Sequence, residues 1–184
     1  MKLIALDGTA ATTKTTTLKS LQDVYNVHFE DYKEVSDELQ LGTDRVSDQF
    51  LYLLYRKRNI YTSGNHLFDR DPICTLLYHF IFDNTEDAVI EKYCKLIKEY
   101  GLNKEYESLI LMTIPGQESL IVEAMIKRGN GIDLLDENYV KRQNHVFEIW
   151  ARIMNYRTYY VDYKRSLNEQ QEEIRCILTE MFNN

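Results

Sequence analysis

The stretch Asp7-Gly8-Thr9-Ala10-Ala11-Thr12-Thr13-Lys14-Thr15-Thr16 has the length of G-x4-G-K-[ST], a pattern that wraps phosphate groups. That chemistry asks for backbone N–H groups curled round phosphate oxygens at the start of a helix. It also asks for a lysine reaching the β- and γ-phosphates and a hydroxyl at the next position for Mg²⁺. Lys14 and Thr15 supply the two side chains. Thr13 stands where the second glycine belongs, a position at which glycine permits unusual dihedrals and close backbone approach. A threonine-rich helix cap is the competing reading.

Four other groups have chemistry to offer. Phe29-Glu30-Asp31-Tyr32 places carboxylates where a general base could meet a substrate hydroxyl, although acids are also common where a strand meets solvent. Asp69-Arg70-Asp71-Pro72 pairs an acid able to hold Mg²⁺ through water with an arginine able to neutralise phosphate; a surface ion pair capping the next helix is the alternative. Lys127-Arg128-Gly129-Asn130-Gly131-Ile132-Asp133 is a basic, glycine-containing segment of the kind that closes over phosphates, or else a solvated turn. Gln49, Tyr52 and Arg56 share one helical face, where an amide suits the edge of a nucleobase and an aromatic can stack on it. An exposed polar stripe would look the same.

Three of these groups are expected at the carboxyl ends of strands. Residues 2–7, 25–29, 66–68, 108–113 and 158–162 read as strands. Helical spacing is expected from Lys14 to about Val24, from Thr43 to about Tyr61, and from Pro72 to about Phe82. Further helices are expected over 86–100, 117–127, 137–156 and 167–182. Strands alternating with helices imply an α/β fold with a parallel sheet covered on both faces, and ligands then bind beyond the carboxyl ends of the strands. No repeat or linker interrupts the pattern, so residues 1–184 read as one domain with a lid at about 127–136.

Composition narrows the functions. A net charge of −7 argues against a general nucleic-acid binder, which needs clustered Lys and Arg. No apolar run approaches the length of a membrane span and no leader pattern opens the chain, so an intracellular setting is expected. Cys74, Cys94 and Cys176 have no metal-like spacing and read as free thiols. The 14 tyrosines suit core and half-exposed helix faces, or a base-stacking pocket.

Together these residues resemble the deoxynucleoside kinases, and most of all the herpesvirus thymidine kinases. The likeness is carried by Asp7-Gly8 through Lys14-Thr15-Thr16-Thr17, by Asp69-Arg70-Asp71-Pro72-Ile73 with Leu76-Leu77, and by Lys127-Arg128 with Asp133. Tyr139 and Phe147-Glu148-Ile149-Trp150 resemble the helix that follows the lid in cellular members. The resemblance implies a three-layer P-loop kinase fold with a five-stranded parallel sheet, usually assembled as a homodimer. It implies ATP and Mg²⁺ as cofactors and a small nucleoside or nucleotide as partner, with no nucleic acid and no membrane. Glu30 would be the general base toward the 5′-hydroxyl. Gly8, Thr13, Lys14, Thr15, Thr16 and Arg128 would hold ATP, and Thr15 and Asp69 would attend the metal. Gln49, Tyr52, Arg56 and Arg70 would meet the substrate, with Lys14, Arg70 and Arg128 neutralising the transferring group.

The chain departs from that family at Ala11 and Thr13, which replace loop glycines, at Asn130, which replaces a lid arginine, and at Asp71, which replaces a histidine. The expected activity is transfer of the ATP γ-phosphoryl group to a deoxynucleoside such as thymidine, in a setting that includes a virus-infected cell. Thymidylate kinase, acting on a monophosphate, and a kinase fold impaired by its altered loop are the other two readings.

Overall fold

The computed structural model describes residues 1–29, 32–58, 61, 63–129, 131 and 133–184. Five strands, β1 (Lys2–Gly8), β2 (Asn26–His28), β3 (Asn65–Asp69), β4 (Tyr106–Thr113) and β5 (Arg157–Val161), form one sheet in the order β2-β3-β1-β4-β5. Every neighbouring pair is parallel. The eight helices assigned among the described residues are α1 (Lys14–Lys19), α2 (Tyr32–Glu38), α3 (Arg45–Arg56), α4 (Cys74–Phe82), α5 (Asp87–Glu99), α6 (Glu118–Arg128), α7 (Glu137–Met154) and α8 (Leu167–Asn183). The expected five-stranded parallel sheet is what forms.

The pleat sorts apolar residues to two faces. Ile4, Leu6, Leu109 and Leu111 pack with Leu18 of α1 and with Ile174 and Leu178 of α8. Ile110 and Met112, their alternates on β4, pack against α4 to α7 around Phe147 and Trp150, both fully buried. β1 lies between β3 and β4, which explains why its residues from Leu3 to Gly8 are all buried. No described helix is long and apolar enough to cross a membrane.

The larger departures from the sequence expectation are in three helices. α1 stops at Lys19 and the chain continues in turns rather than to Val24, because Ser20 donates its hydroxyl to the Thr17 carbonyl at 2.7 Å and draws off a helix acceptor. α3 begins after Asp44, whose side chain caps it through Ser47 N–H at 3.2 Å, and ends at Arg56; residues 59, 60 and 62 are outside the described set. α2 was not expected at all. It buries only Val35, so it carries no apolar periodicity to read.

Gly8 marks where sheet and site meet. Its φ is +119°, and a Cβ there would stand 1.9 Å from the carbonyl oxygen of Leu111 on β4. Glycine is required by this approach, not by phosphate alone.

Candidate functional site

β1 runs directly into the phosphate-type loop, and the loop keeps its shape without the second glycine. Ala11 and Thr13 take φ of 56° and 64°, left-handed values that an L-residue adopts at a cost of about 1–2 kcal/mol each. Lys14 opens α1 and is buried, with its ammonium donating to the carbonyls of Gly8 (3.1 Å) and Thr9 and to the Thr12 hydroxyl (3.1 Å). Burial, reinforced by the charge of Arg70, pushes its pKa down to about 7, although Asp69 and Asp7 pull the other way. α1 has only six residues. Side-chain charge, more than a helix dipole, must therefore neutralise an anion in this loop.

The end of β3 faces that loop. The Thr15 hydroxyl donates to Asp69 Oδ2 at 2.9 Å, joining residues 54 apart in the chain. Arg70, at φ 78°, donates to Asp7 Oδ1 and to the Gly8 carbonyl, both at 3.0 Å, with its guanidinium 4.9 Å from the centre of the Tyr78 ring. Asp71 turns inward and is fully buried. It accepts from Ile73 N–H (2.8 Å), Asn103 Nδ2 (2.7 Å) and Ser108 Oγ (2.9 Å), so it anchors the start of α4, and burial raises its carboxyl pKa.

Arg56 supports this turn from α3. Its guanidinium donates to the carbonyls of Asp69 (3.2 Å), Arg70 (2.7 Å) and Asp71 (3.2 Å). It lines the cavity wall while those donors hold backbone.

One cavity of about 1280 Å³ opens over these groups. Thr13, Lys14, Thr15, Thr16, Gln49, Tyr52, Arg56, Asp69, Arg70 and Arg128 all line it. Single-ligand pockets run to about 300–1,000 Å³, so there is room for two ligands side by side. Aromatic side chains also line it: Phe29, Tyr32, Tyr52, Tyr78, Phe82 and Tyr139. The Tyr32 ring meets Tyr52 edge-on at 5.0 Å, and Phe82 stacks on Tyr139 at 5.6 Å. Gly8 is not on the wall but behind it, against β4. Glu30, the expected general base, lies outside the described residues, as does Asp31; Phe29 just before them lines the cavity.

In the segment expected to be a lid, α6 ends at Arg128 with Gly129 in the left-handed C-cap (φ 60°). Arg128 forms an ion pair with Asp133, and both line the cavity. Asn130 and Ile132 are outside the described residues.

A Thr15 hydroxyl and an Asp69 carboxylate, 2.9 Å apart beside the phosphate-type loop, are hard oxygen donors of the kind Mg²⁺ takes. Mg²⁺ usually keeps several waters and shares phosphate oxygens, so two protein donors fit it.

Sequence reasoning missed the back of the loop. Gln143 of α7 accepts from Ala10 N–H at 2.8 Å, Asn144 accepts from the Thr9 hydroxyl at 2.6 Å, and the Tyr163 hydroxyl donates to the Ala11 carbonyl. The available signal was a glutamine between Tyr139 and Val140 on one side and Val146 and Phe147 on the other, on the buried stripe of a helix.

No protein-family model matches the chain. A 33.9 kDa protein from the PE 3′ region of Lymantria dispar multicapsid nuclear polyhedrosis virus is 32% identical over 186 residues, covering 97% of this chain. The chain spans 63% of that relative's length. Deoxyadenosine kinase from M. mycoides, solved with dCMP and a flexible dCDP, superposes with a TM-score of 0.64 at 19% identity, covering 98% of this chain and all of that one. The same kinase with bound dATP gives 0.64 at 18% identity over 97% of this chain and all of its own. Shikimate kinase from Acinetobacter baumannii gives 0.57 at 12% identity over 98% and 94% of the two chains. The fold is that of the P-loop kinases. At these identities the likeness speaks for the fold, and the chemistry has to be argued from the residues.

Proposed function

We propose that this chain is an ATP-dependent deoxynucleoside kinase, transferring the γ-phosphoryl group to the 5′-hydroxyl of a deoxynucleoside, with thymidine the substrate suggested by the motif resemblance. The observation that carries the reading is the continuity of the cavity. Lys14, Thr15, Asp69, Arg70 and Arg128 line the same cavity as a set of aromatic side chains and the Gln49 amide. The first chemistry is suited to a triphosphate and the second to a nucleobase.

In this mechanism Lys14 and Arg70 draw charge off the phosphates while the loop fixes their position, so catalysis is mostly orientation and electrostatics. Bound at Thr15 and Asp69, Mg²⁺ would neutralise developing phosphate charge. The carboxylate at Glu30 would take the hydroxyl proton. Arg128, released from Asp133 by the stronger charge of a phosphate, would complete the clamp as residues 127–136 act as a lid.

A nucleoside acceptor is favoured because Arg56, on the helix that also carries Gln49 and Tyr52, is already engaged by three backbone carbonyls. A monophosphate would need a cation of its own. A single intracellular domain over residues 1–184 and a homodimer belong to the same reading; the exposed Val46, Phe50 and Leu54, spaced four apart on α3, are surface that a dimer would cover. The test is to offer Mg²⁺-ATP with each of the four deoxynucleosides and with thymidine monophosphate. Product from a nucleoside supports the proposal; product from the monophosphate alone assigns a thymidylate kinase, and no product with no ATP binding assigns a kinase fold without the activity.

A further inference from the structure

We infer that Gln143 is a positioning residue for the phosphate-type loop and ties the loop's shape to Arg70 through Tyr78, an inference that rests on the phosphoryl-transfer reading above. The Gln143 amide oxygen is fully buried and accepts two hydrogen bonds, from Ala10 N–H at 2.8 Å and from the Tyr78 hydroxyl at 3.2 Å. The Tyr78 ring in turn carries the Arg70 guanidinium 4.9 Å from its centre. One oxygen atom thus joins the loop, α7 and α4, and the Tyr78 ring carries the link on to Arg70 just after β3.

Asn144, the next residue, works on the same loop from the sheet side. Its oxygen accepts from the Thr9 hydroxyl (2.6 Å) and from Thr113 N–H (3.1 Å), and its Nδ2 donates to the Thr113 carbonyl at 3.0 Å. α7 therefore grips Thr9 and Ala10, the residues immediately before Ala11 at φ 56°. Non-glycine residues persist in such conformations only where their surroundings over-determine them. With Ala11 and Thr13 in place of glycine, the loop does not find its shape freely, and α7 supplies the constraint.

Packing gives no reason for an amide here. Val140, Val146, Phe147 and Trp150 make the surrounding stripe apolar, and Gln143 Nε2 has no hydrogen-bond partner among the described residues. A buried unpaired donor is costly, so a methionine would serve the core better. What methionine lacks is the acceptor that Ala10 and Tyr78 share.

Gln143→Met keeps the length of the side chain and removes that acceptor, and three readouts separate positioning from mere stability. Amide hydrogen exchange at Ala10 in the ligand-free protein should speed up, while core amides of β4 keep their protection. The KM for Mg²⁺-ATP should rise roughly tenfold, the usual scale for leaving one buried N–H unpaired, with the nucleoside KM unchanged. Gln143→Glu, which retains an acceptor oxygen, should stay nearer wild type in both. Tyr78→Phe, which removes only the hydroxyl, should raise the same KM by a smaller factor and add nothing to Gln143→Met. Unchanged Ala10 exchange and unchanged ATP KM in Gln143→Met overturn the inference. If Gln143→Met fails to fold, an ATP KM in Tyr78→Phe equal to wild type overturns the tie of the loop to Tyr78, and a raised one upholds it. If the wild-type protein phosphorylates nothing yet Ala10 exchange still responds to Gln143→Met, the loop positioning stands and the kinase reading falls.

Discussion

Arg56 holds Arg70 by the backbone: its guanidinium donates to the Arg70 carbonyl at 2.7 Å, and Arg70 itself sits at φ 78°. The arginine that meets the loop is thus set in a disfavoured conformation by a second arginine 14 residues earlier on α3. Arg56→Met should leave one buried and two part-buried carbonyls without this donor and cost about 2–4 kcal/mol of stability, visible as a lower urea midpoint. Activity should fall further than stability alone explains, since Asp69 and Arg70 lose their shared support. Unchanged turnover in a folded Arg56→Met would show that the turn holds itself.

Asp69 is the acid that meets Thr15 across the loop. Asp69→Asn preserves size and removes charge at a half-buried position, so the ligand-free protein should keep its unfolding free energy within about ±0.5 kcal/mol of wild type. The Mg²⁺ concentration needed for half-maximal turnover should rise at least tenfold. A titration of rate against Mg²⁺ that superposes on the wild type would remove Asp69 from the metal site.

Thr13 carries strain without visible return. It has φ 64°, its hydroxyl is buried with no partner among the described residues, and it makes no side-chain cap to α1. Thr13→Gly should raise stability by up to about 1 kcal/mol, the left-handed cost less the extra freedom of glycine in the unfolded chain. ATP affinity should rise as well. Calorimetric binding that is weaker or equal in the variant would mean that the loop is not strained against its ligand.

Lys14 gives a pH signature with a definite sign. Its pKa is about 7 in the folded protein and near 10.5 in the unfolded chain, so between these values the unfolded state binds more protons. Stability from this group therefore rises with pH from 7 toward 10.5, by up to about 1.4 kcal/mol per pH unit, and its full penalty is present below pH 7. Urea unfolding at pH 7 and pH 9 should show the rise in wild type and a flatter profile in Lys14→Met. Phosphate binding favours the charged form, so ATP binding at pH 8 should take up protons, measurable by calorimetry in buffers of different ionisation enthalpy.

Much of this was legible in the sequence because the informative residues are local. β1, the loop and Lys14 follow one another, and the alternation Leu109, Ile110, Leu111, Met112 announces a strand buried on both faces. Gln49, Tyr52 and Arg56 read correctly as one helical face, and the cavity receives all three. The three carbonyl partners of Arg56 were not legible, because they belong to a turn brought to it by the tertiary fold. Gln143 and Asn144 were invisible for the same reason: they serve Ala10 and Thr9, more than 130 residues away. The inward turn of Asp71 was not legible either, because nothing nearby in sequence announces Asn103 and Ser108 as its partners. α2, with Val35 alone buried, offered no period to find.

The most direct measurement follows the γ-phosphoryl group itself. Purified protein is given γ-labelled Mg²⁺-ATP and a deoxynucleoside, wild type beside Lys14→Met, and label is sought on the nucleoside 5′-oxygen. The account predicts labelled nucleoside monophosphate from wild type and a loss of at least a hundredfold in Lys14→Met, with the variant folded. Equal labelling by the two proteins, or none by wild type under conditions where it binds ATP, would contradict it.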